Sequence, residues 1–342
     1  MIKAYAAVEP GGPLEPFEYD PGPLEDEEVE ITVEHCGICH SDLSMLNNEW
    51  GMTQYPFVPG HEVIGIVAAV GTKVTTAVPA GGKALSVGER VGLGWHSDYC
   101  NQCDSCHSGD HNLCGEAKGT IVGRHGGFAD KVRAHMSSVV RLPVGLDAQR
   151  SGPLFCGGIT VFNPLVQFDI KPTAKVAVIG IGGLGHMALK ILNAWGCEVT
   201  AFTSSESKRE EALKFGAYHT VSSTDPEQLA EVVGRFDLIL STVNVALDWQ
   251  AYITTLKPKG RLHFLGAVME PISLSVFSLL SNQISVSASP VGSPVTIAKM
   301  LDFCVRHDIQ PTIESFSFEQ VNEAMARVVS GDARYRVVLS HN

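Results

Sequence analysis

The stretch KVAVIGIGGLGHMALK, residues 175–190, decides how this chain folds. Its first five residues form a short apolar run of the kind found in strands buried on both faces. Gly180, Gly182 and Gly185 then spell G-x-G-x-x-G, and Leu184, Met187, Ala188, Ile191 and Leu192 share one helical face until Gly196 stops the pattern. In a chain with 34 glycines the bare glycine pattern is weak. Lying directly after a strand and opening a helix, it reads as a dinucleotide-binding turn. Gly180 makes the tight turn, and Gly182 lets the backbone approach a pyrophosphate. Gly185 lets helix and strand pack closely, while Gly183 and Leu184 complete the loop ahead of a helix N-terminus rich in N–H donors.

The alternation continues downstream. Strand EVTAFT, helix ESKREEALKF closed by Gly216, strand HTVSS, helix PEQLAEVV and strand FDLILST follow in order. A helix around DWQAYITTL and strands RLHFLG and QISVSAS complete the series. Such alternation predicts an α/β, doubly wound parallel sheet of Rossmann type. Upstream, to about residue 150, the rhythm differs: ITVEHCG, EVIGIVAAVG, ERVGLG and DKVRAH are β-rich runs broken by glycine and proline. After residue 290 come two helices, VTIAKMLDFCVRH and FEQVNEAMARVVSG, and a last strand, YRVVLS. The expected division is 1–149, 150–289 and 290–342.

The second strand of the series ends at Thr203, where a site selective for NAD carries an acid for the ribose hydroxyls. Here Thr203, Ser204 and Ser205 are followed by Lys208. Hydroxyls and a cation in place of a carboxylate suit a 2′-phosphate, so NADP(H) is the expected cofactor. The plainer reading, in which the serines cap the next helix and Lys208 is solvated, is compatible with it.

The chain of 342 residues has a net charge of −12, which argues against a nucleic-acid or anionic-membrane partner. It opens without an apolar signal core and has no bilayer-length apolar run, so a cytoplasmic protein is expected. Four of its nine cysteines, Cys100, Cys103, Cys106 and Cys114, crowd into one loop. Four thiolates match a closed tetrahedral Zn²⁺ site that leaves no room for substrate. An iron–sulfur cluster or disulfides are the competing readings, but nothing else in the chain points to electron transfer. Cys39, the pair His61-Glu62 and Cys156 remain. Two cysteines and one histidine can hold a catalytic zinc with one open position, although sequence separation alone cannot bring them together.

Taken together, CGICHSDL (36–43), PGHEVIG (59–65), the cysteine quartet, GGFAD (126–130), CGGITV (156–161), GIGGLGH (180–186) and RYRVV (334–338) resemble the zinc-containing medium-chain dehydrogenase/reductase family, along essentially the whole chain. Within it the chain is similar to the cinnamyl-alcohol-dehydrogenase branch and its broad, NADPH-dependent bacterial aldehyde reductases. The resemblance implies a GroES-like β-rich catalytic domain that includes the C-terminal segment, beside the Rossmann domain, and two Zn²⁺ per chain. It implies Cys39, His61 and Cys156 as ligands of the catalytic zinc, Glu62 just behind the metal, and Asp42 orienting His61. Ser41 would hydrogen-bond the substrate oxygen and relay its proton. His40 and Arg336 would lie near the cofactor pyrophosphate, and Thr160 at the nicotinamide end. Thr203, Ser204, Ser205 and Lys208 match the 2′-phosphate pocket of the branch.

Where many relatives carry a histidine five residues after the catalytic cysteine, this chain has Ser44, which leaves the proton route beyond Ser41 open. Cys36 with Cys39 spells C-x-x-C without the thioredoxin-like context, so Cys36, Cys197 and Cys304 read as buried small residues. Trp50 and Trp95 either line an apolar substrate pocket or pack a core. The expected activity is hydride transfer between NADP(H) and a primary alcohol or aldehyde, in a homo-oligomer of two or four chains. A polyol or sugar dehydrogenase of the same family, and a non-catalytic zinc- and NADPH-binding protein, are the alternatives.

Overall fold

The computed structural model describes residues 1–74 and 83–341. These fall into two compact units, Met1–Ile159 with Val291–Asn342, and Thr160–Pro290.

The second unit is built on six parallel strands. They are β1 (Lys175–Ile179), β2 (Glu198–Thr203), β3 (His219–Ser222), β4 (Phe236–Ser241), β5 (Leu256–Phe264) and β6 (Ser285–Ala288). Their spatial order is β3-β2-β1-β4-β5-β6, the doubly wound arrangement expected from the alternating pattern. Five helices lie among the strands: α1 (Gly185–Trp195), α2 (Glu206–Lys214), α3 (Pro226–Glu231), α4 (Trp249–Thr254) and α5 (Val276–Asn282). Glycine ends the first two helices as read from sequence: Gly196 and Gly216 have φ of 103° and 106°, a left-handed turn that a side chain would strain. The core packs Ile179, Phe202, Phe236, Ile239, Trp249, Tyr252 and Leu262.

The order reverses between β1 and β4, so the loop after β1 opens at the switch point where such sheets bind ligands. Gly180 has φ of 85°, and a Cβ there would meet Val243 at 2.5 Å. A Cβ on Gly185 would fall 1.9 Å from the Gly180 carbonyl oxygen, so both positions require glycine for local reasons. Gly182 differs: nothing lies within 4 Å of its would-be Cβ.

The first unit holds a seven-stranded sheet among the described residues. Its order is Ile313–Ser317, Arg336–Ser340, Glu28–Ile38, Val63–Val70, Arg90–Leu93 and Val139–Arg141, with Lys131–His135 also paired to Glu28–Ile38. Alternating apolar residues on Glu28–Ile38, such as Val29, Ile31 and Val33, turn into a core with Phe57, Val63, Val67, Phe128 and Leu339. Three neighbouring strands matter most. Val337 lies opposite Ile38, and Cys36 opposite Val63. Arg336, Cys39 and the His61-Glu62 pair therefore leave the sheet at the same end. Among the described residues no helix is long and apolar enough to cross a membrane.

Candidate metal centres and cofactor loop

Cys39 follows the central strand Glu28–Ile38 and stands at the N-cap of the helix His40–Leu46. The Asp42 carboxylate fixes this junction by accepting from the Cys39 amide at 2.9 Å and from the Gly60 amide at 2.9 Å. It also meets His61 Nδ1 at 3.0 Å, which turns Nε2 toward Cys156 Sγ, 3.3 Å away. Cys156 arrives on the turn between Gly152–Phe155 and the helix Gly157–Gln167, and its sulfur stands 3.8 Å from Cys39 Sγ. One ligand atom from each of Cys39, His61, Glu62 and Cys156 lies within 4.8 Å of the others, and all four residues are buried.

The four side chains and Arg336 shift one another's protonation. A hydrogen bond from Cys156, with help from His61 and Arg336 and against burial, holds the Cys39 thiol well below its usual range. The same shared proton and burial push Cys156 up. Burial opposes charge on His61, yet Asp42 and Cys39 together raise it. Glu62 is raised by burial despite the guanidinium of Arg336 against its Oε1. Its other oxygen, Oε2, is buried with no hydrogen-bond partner. A Cβ on Gly37 would lie 2.0 Å from that oxygen, so glycine at 37 gives the carboxylate its space.

Zinc fits this donor set. Two thiolates each about 2.3 Å from one tetrahedral ion stand about 3.8 Å apart, the separation observed. An acceptor-only oxygen left unpaired in a dry site is also what a nearby cation relieves.

Around the cluster, Ser41 Oγ lies 3.7 Å from Cys39 Sγ. Trp95 sets its ring edge-on to His61 at 5.1 Å and meets Trp50 at 6.0 Å. Both tryptophans are half-buried and pack against the first unit's core, as the packing reading has it. Ser44 is buried, and its hydroxyl hydrogen-bonds the exposed carboxylate of Glu49, lowering that group's pKa. His40 is exposed and Thr160 buried. Cys36, Cys197 and Cys304 are buried, as expected for small packing residues.

The second quartet is local. Cys100, Cys103, Cys106 and Cys114 have sulfurs within 4.8 Å of one another, with Cys114 at 3.5 Å and Cys106 at 3.9 Å from Cys100. Backbone donation from Gln102 lowers Cys100 to about 7, and burial raises Cys106 to about 12. With Tyr99 these cysteines form a small satellite core, too small to hold the lobe alone.

In the second unit, Leu184 stands at the N-cap of α1, and no side chain caps that helix. Thr203 ends β2 buried, and its hydroxyl accepts from the Ser205 amide at 3.2 Å. Ser205 occupies the N-cap of α2, yet its hydroxyl bonds Ser207 at 2.9 Å and makes no cap bond. The capping reading of these serines thus falls short at Ser205. Ser204 is exposed and Lys208 half-exposed at the same turn.

Comparison with known proteins agrees with this geometry. Residues 25–144 match the family described as alcohol dehydrogenase GroES-like domain, and residues 183–306 the family described as zinc-binding dehydrogenase. The chain is 63% identical to the aldehyde reductase AdhA of Synechocystis, over 100% of this chain and 99% of that protein. A cinnamyl alcohol dehydrogenase from Sorghum bicolor superposes with a TM-score of 0.93 at 35% identity, covering 99% of this chain and 97% of the other. One from Helicobacter pylori, solved with NADP(H), gives 0.89 at 29% identity over 99% and 97%. A thiol–imidazole cluster at one end of a GroES-like sheet, a glycine turn at the switch point of a doubly wound sheet, and full-length likeness to such enzymes lead to one statement: the chain belongs to the zinc-binding alcohol dehydrogenase family.

Proposed function

We propose that this protein is a zinc-dependent aldehyde reductase and alcohol dehydrogenase that exchanges a hydride between NADP(H) and an aldehyde or primary alcohol. The observation that carries the reading is the convergence of Cys39, His61 and Cys156, with Asp42 behind the imidazole, on one buried point. The first unit, including the C-terminal segment, carries the metal chemistry; the second binds the dinucleotide.

Zinc on Cys39, His61 and Cys156 supplies Lewis acidity toward the carbonyl oxygen, and NADPH supplies the hydride. Asp42 keeps His61 in the tautomer that offers Nε2. Ser41 Oγ donates the proton that the reduced oxygen takes up, and Ser44, on the same helix, with Glu49 just past its C-terminal end, offers a hydroxyl–carboxylate step toward water. Trp50 and Trp95 present apolar rings beside the cluster, which suits aliphatic and aromatic aldehydes and excludes water. Glu62 and Arg336 neutralise each other behind the ligands; once the cofactor binds, the guanidinium provides a cation for the pyrophosphate. Cys100, Cys103, Cys106 and Cys114 hold the second zinc, whose role is to fold the lobe.

Gly180, Gly182, Gly183, Leu184 and Gly185 cradle the pyrophosphate, with open space at Gly182 and an uncapped α1 as support. His40 and Thr160 complete the cofactor contacts. Thr203, Ser204, Ser205 and Lys208 receive the 2′-phosphate, supported by the uncapped start of α2 and the absence of an acid at the end of β2. Six cysteines assigned to zinc and three buried thiols suit a reducing compartment, so we place the enzyme in the cytoplasm.

We infer a homodimer through α5 and β6. Val276, Phe277 and Leu280 are 67%, 78% and 70% exposed on α5, which leads directly into β6, the terminal strand of the sheet. An apolar patch beside an unpaired edge is what a two-fold interface covers.

The test of the function is initial-rate reduction of aliphatic and aromatic aldehydes with NADPH and NADH, set against oxidation of polyols. Aldehyde reduction that favours NADPH supports the reading; preferential polyol oxidation contradicts it. Lys208→Ala should lower kcat/KM with NADPH by about tenfold, the scale of one charge-assisted contact, and change NADH use far less.

A further inference from the structure

The start of α2 carries a second cation that the sequence reading did not use. Arg209 lies one residue beyond Lys208, and its side chain points back toward the N-terminus of the helix, as long helical side chains do. Its Nε is 2.9 Å from the carboxylate of Glu206, in the first turn. That contact is an ion pair without an aligned hydrogen bond, because Arg209 Nε is buried with no hydrogen-bond partner. Arg209 Nη2 lies 3.4 Å from Gln228 Oε1. The orientation of Gln228 is fixed: its Nε2 donates to Asp225 at 2.9 Å, and its Oε1 accepts from the Ser222 amide at 2.9 Å. Ser222 ends β3, the strand beside β2. The guanidinium is thus held over the C-terminal ends of β2 and β3, on the side of the sheet where the adenosine end of a dinucleotide lies.

We propose that Arg209 is a second cation for the 2′-phosphate and that Glu206 competes with the phosphate for it, setting how strongly the protein prefers NADPH. The inference rests on the 2′-phosphate reading above and adds two residues to it. Three features distinguish the pair from an ordinary surface bridge at i, i+3. Arg209 is only 25% exposed while Glu206 is 85% exposed, so the acid is free to swing into water. The arginine is anchored on its far side by Gln228 and keeps an unmet donor. At the N-cap of α2, the Ser205 side chain makes no cap bond. A dianionic phosphate arriving there takes over the guanidinium as a better acceptor, and Glu206 is displaced. Before binding, the carboxylate neutralises the cation and weakens its pull.

The test is a double-mutant cycle on the holoenzyme, reading dissociation constants for NADPH and NADH by fluorescence. Glu206→Gln should tighten NADPH about fivefold, and Arg209→Ala should weaken it about tenfold, each with NADH changed less than about twofold. The gain from Glu206→Gln should vanish when Arg209 is already alanine, which simple removal of a nearby negative charge does not predict. If the gain persists without Arg209, or if both variants bind NADPH as the parent does, the proposal is overturned. Lys208→Ala separates this from the underlying reading. Loss of NADPH preference there, with Arg209→Ala silent, leaves the phosphate site standing and removes only Arg209. A parent protein that binds both cofactors alike removes the site and the inference with it.

Discussion

Asp42 shows how much a single residue organises here. One carboxylate satisfies two backbone amides and sets the tautomer of His61, so the metal-ligand geometry depends on a side chain that touches no metal. Asp42→Asn should reduce zinc affinity at the catalytic site by about 10- to 100-fold, measured by competition with a chelator. An unchanged affinity would remove Asp42 from that role. Cys156→Ala should abolish turnover while NADPH affinity stays within about twofold, because the dinucleotide loop lies elsewhere in the chain; near-normal activity would refute Cys156 as a ligand. At this scale the sequence was most readable where chemistry demands rare residue types, as in the cysteines and the GHE histidine. It was least readable for partnerships across long separations. Glu62 and Arg336 were each singled out, one for the metal and one for the pyrophosphate. Nothing in the sequence shows that they meet, since only the register of neighbouring strands joins residues 274 apart.

At the scale of elements, glycine and proline explain one success and one failure of the sequence reading. The turn after β1 was legible because three glycines serve three separate needs at fixed spacing. The helix Gly157–Gln167 was missed because Pro164 sits inside it, and a proline within an apolar run reads as a break. The helix α5 was missed because Val276, Phe277 and Leu280 are exposed and only Leu279 packs against the core, too little to produce a helical period. Between β5 and β6, His263 is buried with both ring nitrogens 2.9 Å from serine hydroxyls, on Ser287 and Ser289. Burial, aided by Arg261, holds its pKa at about 4, below the ordinary histidine value. The unfolded chain therefore binds the proton more readily, and this stabilisation is present above about pH 6.5 and lost as pH falls toward 4. The loss should be on the order of 2 kcal/mol. His263→Gln should flatten the fall of Tm between pH 7 and pH 5, and an unchanged slope would contradict the assignment.

For the whole molecule, fold class followed from the change of rhythm along the chain, whereas the return of the C-terminal segment to the first unit depends on Arg336–Ser340 pairing beside Glu28–Ile38. Assembly was illegible in sequence, because exposed apolar residues gain meaning only beside a sheet edge. Phe277→Asp should convert the proposed dimer to a monomer by light scattering; a variant that keeps the parent mass would place the interface elsewhere. The most direct measurement of the account is metal content together with turnover. Purified protein should contain two zinc ions per chain, lose aldehyde reduction when the catalytic ion is removed, and regain it when zinc is restored. Full turnover by metal-free protein would contradict the account.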